Sequence, residues 1–301
     1  MRKIVVTGGQ GFIGSNLVEL LLKKKYFVIN IDKSSYSANP YNVRNFKNNK
    51  NYIFFKADIN NRKKISKILN RYKPLGLFNL AAETHVDRSI DNPHAFLKTN
   101  IFGVFNLLEA VNLFNKNSKK KIKFVHVSTD EVYGDIKKNS QVNESYNYNP
   151  SSPYSASKAG ADQLIKSYYR TYGSNVIIVN SCNNYGPNQL PEKFIPKVIF
   201  NIIQNKSIPL YGKGTNIREW IYVQDNCEAL LKIFNRGKIG NNYNVGSGIR
   251  IKNLEIIKQI LNIAKKNKLI NKNKILVRFV KDRPGHDKRY AINSNKIKSE
   301  L

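Results

Sequence analysis

Residues 3–7, KIVVT, read as a short buried strand, and the chain leaves them through Thr7-Gly8-Gly9-Gln10-Gly11-Phe12-Ile13-Gly14 straight into an apolar helical pattern over 12–24. Few features constrain a fold more. Glycines at these positions let the backbone turn tightly and approach a pyrophosphate, while the helix start turns amides and the positive end of its dipole toward an anion. In this strand-turn-helix setting the G-x-G-x-x-G spacing points to a dinucleotide-binding unit, with Gly8, Gly11 and Gly14 at the phosphates. The next strand, 27–31, runs into Asp32. A carboxylate there accepts hydrogen bonds from the adenosine ribose hydroxyls and repels a 2′-phosphate, so the cofactor expected is NAD rather than NADP.

Further strands at 52–56, 76–80, 123–128 and 175–181 alternate with helices at 60–72, 93–116 and 153–172, the period of βαβ crossovers. The fold class expected is α/β: a doubly wound parallel sheet over 1–181, with a smaller C-terminal lobe over 182–301. In that lobe, helices are expected near 192–205, 224–236 and 252–265, among loops containing Pro and Gly. A chain of 301 residues buries roughly three quarters of its unfolded surface, so its core needs no staples. Cys182 and Cys227 are too few for a disulfide framework, and four scattered His show no metal-ligand spacing, so no metal is expected. No apolar run approaches the ~20 residues that span a bilayer, and the chain enters its first strand without a secretory h-region. A soluble cytoplasmic protein with no membrane partner is the expectation.

The net charge of +31, from 51 Lys and Arg against 20 Asp and Glu, raises nucleic acid as a partner. The cations are mostly Lys, scattered among Asn and Ile as an AT-rich coding sequence would leave them, and they form no basic stripe with interleaved aromatics. Surface drift is the reading, with a favourable field for an anionic small substrate behind it and no nucleic-acid role.

A second constellation is Tyr154-Ser155-Ala156-Ser157-Lys158, with Ser128-Thr129 closing the 123–128 strand. Four residues apart, Tyr and Lys share a helix face, and a phenol becomes a base near neutral pH when cations stabilise its phenolate. Joined to the glycine turn, this resembles the extended short-chain dehydrogenase/reductase superfamily, in which Thr, Tyr and Lys act on a sugar hydroxyl. Within it, STDEVYG at 128–134 adds adjacent carboxylates, Asp130 and Glu131. Eliminating water needs both an acid and a base, whereas epimerases, which oxidise and re-reduce one carbon, generally lack the pair.

Segments along the chain then resemble the dTDP-glucose 4,6-dehydratase family: TGGQGFIGSN at 7–16, AAETHVDRSI at 81–90, SPYSASKAGAD at 152–162, NNYGPNQLPEKFIPK at 183–197, GKGTNIREWIYVQD at 212–225 and DRPGHDKRYAIN at 282–293. The resemblance implies catalysis by Thr129, Asp130, Glu131, Tyr154 and Lys158. It implies cofactor contacts from Phe12 and Ile13 on the pyrophosphate, Asp32, Lys33 and Ser35 at the ribose, Asp58 and Ile59 near the adenine, and Ala81, Ala82, Thr99, Tyr154, Lys158 and Asn184 along the nicotinamide half. For a nucleoside diphosphate sugar it implies His85, Thr129, Asn183, Glu192, Lys193, Tyr211, Arg218, Asn253, Arg283 and His286, with the two Arg clasping the diphosphate bidentately. It further implies a homodimer through helices such as 93–116 and 153–172. A UDP-sugar 4,6-dehydratase and a nucleotide-sugar 4-epimerase are the alternatives in the same fold. A basic NAD-holding protein that binds RNA or an anionic surface is the alternative of another class. The chain departs from the family pattern at Ser34-Ser35-Tyr36, at Asn188-Gln189-Leu190, and at its end, where relatives continue past the position of Leu301. If nothing covers the surface their last helices protect, exposed apolar area should lower stability.

Overall fold

The computed structural model describes residues 2–270 and 277–301. Its first half is a run of βα units: β1 (Lys3–Thr7), α1 (Phe12–Lys23), β2 (Phe27–Asp32), β3 (Tyr52–Lys56), α2 (Arg62–Tyr72), β4 (Gly76–Asn79), α3 (Val86–Asp91), α4 (Pro93–Phe96), α5 (Gly103–Lys116), β5 (Lys123–Thr129), α6 (Pro153–Tyr172) and β6 (Val176–Ser181). These strands pair in parallel in the order β6-β5-β4-β1-β2-β3. A parallel sheet is covered on both faces, which is why its strands are apolar almost without interruption. Alternate residues feed two cores. Ile4, Val6, Phe78, Val125 and Val127 pack under α1, while Val5, Leu77, Phe124 and Ile178 pack under α2, α5 and α6.

The expected helix over 93–116 is helical throughout but not uniform. Between α4 and α5 lies a π-helical stretch, Leu97–Phe102. The wider turn carries Thr99 and Asn100 inward, where the Asn100 amide accepts from Glu83 N at 2.9 Å and donates to Ser157 Oγ at 2.9 Å. α6 begins at a capping box in which Ser152 and Ser155 satisfy each other's backbone N–H groups.

The remaining elements are β7 (Asn183–Tyr185), α7 (Phe194–Ile203), β8 (Ile208–Tyr211), β9 (Ile217–Tyr222), α8 (Val223–Arg236), β10 (Asn242–Val245), β11 (Arg250–Lys252), α9 (Asn253–Lys266), β12 (Val277–Val280) and α10 (Asn295–Glu300). β7, β9 and β11 form a three-stranded sheet and β8 with β12 a two-stranded one. A small core of Val198, Ile202, Ile208, Leu210 and Ile257 lies between α7 and α9. The segment after residue 182 also reaches back: β10 pairs in parallel with β6 as a seventh strand of the large sheet, and α8 packs beside α1. α10 seats Ile297 and Leu301 on the large core, and Glu300 accepts from Tyr243 OH at 2.9 Å. No helix among the described residues is long and apolar enough to cross a membrane.

Candidate active site

One cleft opens at the C-terminal ends of the strands, where the order reverses between β1 and β4, the usual place for a ligand in an open α/β sheet. The glycine turn shapes its floor. Gly8 has φ +74°, and a Cβ there would lie 2.7 Å from Ala81 N; at Gly14 it would lie 2.1 Å from Gly8 O. α1 starts at Gly11 with no side-chain cap and no acidic residue in its first turn, so its dipole meets the cleft uncompensated. At the tip of β2, Asp32 accepts from Gln10 N at 3.0 Å and Ser34 N at 2.8 Å, while burial raises its pKa. Lys33 donates to Glu83 at 2.7 Å and to Thr99 Oγ1 at 3.3 Å.

Every expected cofactor residue lines this cleft except Asp58 and Asn184. Asp58 instead accepts from Asn60 N at 2.8 Å in the turn before α2, and Asn184 donates to Cys182 O at 3.0 Å. Sequence reasoning missed Ile31, Ser37, Ala38, Ala57, Leu80, Thr84, Val127, Ser128, Gln189 and Leu190, which also line it. Lys193, expected on the sugar side, also lines it and donates to Thr84 Oγ1 at 3.2 Å. At the family departures, Ser35, Gln189 and Leu190 face the cleft, and Tyr36 OH donates to Thr84 O at 2.6 Å.

Thr129, the last residue of β5, accepts from Glu131 N at 3.2 Å and so folds Asp130–Tyr133 into a 3₁₀ turn that puts both carboxylates against the site. Their surroundings differ. Asp130 is 3% exposed, its Oδ2 has no hydrogen-bond partner among the described residues, and burial with Glu131 and Glu219 nearby raises its pKa well above the usual Asp range. Burial also raises Glu131, but Arg283 and Arg218 oppose the shift, and Tyr290 OH lies 3.5 Å from its Oε2. The surroundings favour the neutral acid at Asp130 more strongly than at Glu131, where two cations work against the burial.

Tyr154 and Lys158 lie one turn apart on α6 and both line the cleft. Burial, then Glu131 and Asp130, push the Tyr154 phenol up, with no charge from Lys158 among the leading causes. Lys158 Nζ instead donates to Val127 O at 2.7 Å and lies 3.2 Å from His126 Nε2, and burial brings its pKa down to about 8.

Three of the expected sugar-side residues converge from three segments on Asp87, which sequence reasoning left unassigned although it stands in the quoted 81–90 motif. His85 Nδ1, Tyr211 OH and Arg283 Nη1 lie 3.7, 3.2 and 3.8 Å from its carboxylate. His286 meets Tyr211 edge-on at 6.0 Å and Asp282 at 2.6 Å, and Glu192 lies 3.6 Å from Arg88. Arg218 is buried over the Tyr290 ring at 4.1 Å, and its Nη atoms donate to Ile217 O and Asp287 O at 2.9 Å. Those two carbonyls already hold the fork that was expected to clasp a diphosphate. Asn183 Oδ1, Glu192 Oε1, Asn253 Oδ1 and Arg283 Nε are buried without partners among the described residues, the mark of a site shaped for a polar ligand. No group of three or more His, Cys, Asp or Glu among the described residues could hold a metal ion.

A family model described as GDP-mannose 4,6 dehydratase matches residues 5–301. A dTDP-glucose 4,6-dehydratase of Haemophilus influenzae is 44% identical over 312 residues, covering 100% of this chain and 92% of that protein. The NAD complex of a dTDP-glucose 4,6-dehydratase from Bacillus anthracis superposes with a TM-score of 0.90 at 39% identity, over 100% of this chain and 90% of that one. DesIV, a dTDP-glucose 4,6-dehydratase from Streptomyces venezuelae solved with NAD and TYD bound, gives 0.92 at 37% identity, over 99% of this chain and 90% of that one. With this likeness running along its whole length, the chain belongs to the dTDP-glucose 4,6-dehydratase family of the extended short-chain dehydrogenases/reductases.

Proposed function

We propose that the protein holds NAD in the cleft under α1 and converts dTDP-glucose to dTDP-4-keto-6-deoxyglucose and water. The observation that carries this reading is the Asp130–Glu131 pair at the end of β5, beside Tyr154, with Asp130 raised by burial and nearby carboxylates and Glu131 flanked by Arg218 and Arg283. The cleft suits the cofactor: Gly8 and Gly14 leave room a Cβ would fill, and Asp32 stands where a ribose diol would reach it. Segment 1–181 would supply most of the dinucleotide contacts and 182–301 most of those to the sugar nucleotide.

Tyr154 takes the proton of the carbon-4 hydroxyl, with Thr129 hydrogen-bonding the same oxygen and Lys158 supplying positive charge beside them. Bound NAD supplies the hydride acceptor at carbon 4 and the hydride donor at carbon 6, and its cationic nicotinamide favours the Tyr154 phenolate. Once carbon 4 is a ketone, the neighbouring carbon-5 hydrogen is acidic, and Glu131 removes it. Asp130 protonates the carbon-6 hydroxyl, which leaves as water. Glu131 then returns its proton to carbon 5; Tyr154 is left with one proton gained and Asp130 with one lost, so passage of a proton from Tyr154 to Asp130 through solvent restores both.

The 4-keto-6-deoxy product suits deoxysugar synthesis of the rhamnose type. Exposed Phe102, Phe105 and Leu113 with Tyr169 and Tyr172 on α6 support a homodimer through these helices. Two buried free thiols, Cys182 and Cys227, suit the reducing cytoplasm. The scattered Lys are assigned to no nucleic acid.

Incubation with a panel of nucleotide sugars, reading the alkaline absorbance of the 4-keto product, tests the reading. Turnover of dTDP-glucose well above UDP-glucose is expected. Equal use of UDP-glucose would overturn the thymidine assignment, and an epimer without keto product would overturn the dehydratase.

A further inference from the structure

Behind the floor of the cleft, His126 on β5 is 1% exposed and its ring lies between side chains of β4 and α6. Its Nδ1 is 3.0 Å from Asn79 Nδ2 on β4, and Asn79 Oδ1 accepts at 2.6 Å from Thr7, the residue that opens the glycine turn. Its Nε2 is 3.2 Å from Lys158 Nζ and 3.7 Å from Asp162 Oδ1. Asp162 Oδ2 in turn accepts from Ser128 at 2.7 Å, Tyr148 at 3.0 Å and Asn180 at 3.2 Å. Both ring nitrogens therefore face N–H groups, an amide on one side and an ammonium on the other. A neutral imidazole has a single lone pair to offer, so one neighbour must yield.

We infer that His126 is a positioning residue for Lys158, accepting a hydrogen bond from the Lys158 ammonium at Nε2 and so fixing the charge and aim of that side chain. The inference rests on the proposed role of Lys158 beside Tyr154. With Val127 O and His126 Nε2 each taking one ammonium hydrogen from behind, the third points into the cleft that Lys158 lines. An ammonium has no lone pair, so the ring proton must sit on Nδ1 and Asn79 must turn its Oδ1 toward it. The Thr7 hydroxyl can donate or accept and so serves either amide orientation. When Lys158 loses its proton the pattern reverses: Nε2–H donates to the amine, and Asn79 presents its NH₂ group to Nδ1. The His126 tautomer thus follows the charge on Lys158.

Burial and the Lys158 charge hold His126 well below the usual His range, so the ring stays neutral while Lys158, lowered to about 8, titrates. Among the described residues, Asp162, whose pKa burial raises, is the other titratable group against this pair; β1 and β4 bring only the neutral Thr7 and Asn79, and Tyr148 and Asn180 meet Asp162 rather than the ring.

The test uses the NAD-loaded full chain labelled with ¹⁵N at its His side chains. The Nδ1–H tautomer of His126 is expected at neutral pH, passing to Nε2–H as pH rises through about 8. In Lys158→Met that pH-dependent change should vanish. An Nε2–H tautomer at neutral pH, unaltered in Lys158→Met, would overturn the inference. In kinetics, His126→Phe should move the alkaline limb of dTDP-glucose oxidation down by about one pH unit and lower kcat about tenfold at nearly constant KM. His126→Gln, whose carbonyl can stand where Nε2 stood, should restore both. A folded Phe variant with the normal pH profile would overturn the inference. If Phe does not fold, the tautomer and the Gln variant decide. If the parent protein turns over no nucleotide sugar, the proposed function fails while the tautomer still judges His126.

Discussion

Replacing Asp130 with Asn separates its chemistry from its place in the fold. The carboxyl is 3% exposed and its closest hydrogen-bond neighbour is Thr129 Oγ1 at 3.4 Å. Burial, then Glu131 and Glu219, raise its pKa well above the usual Asp value, which favours the neutral acid in the folded protein. Asn is neutral and of the same shape. The folded pKa lies above the unfolded one, so this group favours folding fully only below the unfolded pKa, and that contribution is lost as pH rises through the folded value. The Asn variant lacks this dependence and should melt at or above the parent at neutral pH, with the difference narrowing toward acid. Its chemistry should fail all the same. Losing the proton donor for the departing hydroxyl removes ~10²–10⁴ in rate, about 2.7–5.5 kcal/mol of barrier. Mixed rapidly with dTDP-glucose, the variant should show reduced-cofactor absorbance that rises normally and then persists. Solvent deuterium should still enter carbon 5, because Glu131 is intact. Turnover at the parent rate would refute the assignment. So would a variant that never reduces the cofactor, since Asp130 would then act before elimination.

Glu131→Gln should give the complementary stall, with carbon 4 oxidised and no deuterium entering carbon 5; exchange at the normal rate would remove Glu131 as the base. Asp32→Ala should weaken NAD in calorimetry by about tenfold to a hundredfold, since it deletes a charged acceptor and strands the amides of Gln10 and Ser34. Gly14→Ala drives a Cβ to 2.1 Å from Gly8 O and should strip NAD from the purified protein, while Gly173→Ala, with open space and φ +61°, should cost only about 1–2 kcal/mol of stability and leave NAD in place. Arg250→Met leaves Glu219, fully buried and 2.9 Å from the lost guanidinium, without its cation; the melting temperature should fall by the equivalent of about 3–5 kcal/mol, and Glu219→Gln in the same chain should recover part of it.

The βα units of the first half were legible because each strand is a short apolar run and each helix has its own start signal. β1, β3 and α6 have the expected bounds, and most other elements shift by a residue or two. β10 was not legible. Its sequence Asn242-Tyr243-Asn244-Val245 places two Asn in a strand, against their usual preference, and only the fold supplies Asn244 with Tyr133 OH at 2.9 Å and Val142 O at 3.1 Å. The Asp130–Glu131 pair could be read as acid and base from residue types, but which one stays neutral depends on Glu219 and two Arg arriving from remote segments. Asp87 and His126 were passed over for the same reason: each is one polar residue in a strand or a short helix until the topology brings its partners together.

The π-helical stretch at Leu97–Phe102 has a consequence for how the gene can vary. Elsewhere in a helix, losing one residue rotates everything beyond it by about 100° and would swing the buried Val104, Leu107, Leu108 and Val111 of α5 out of the core. Here the wide turn carries a surplus residue, and a single-codon deletion can relax it to plain α-helix with α5 left in register. Such a deletion should leave the folded scaffold standing while withdrawing Thr99 from Lys33 and Asn100 from Glu83 and Ser157. Length variants at this spot would then preserve the scaffold and alter the cleft, a place where function can drift without the fold collapsing.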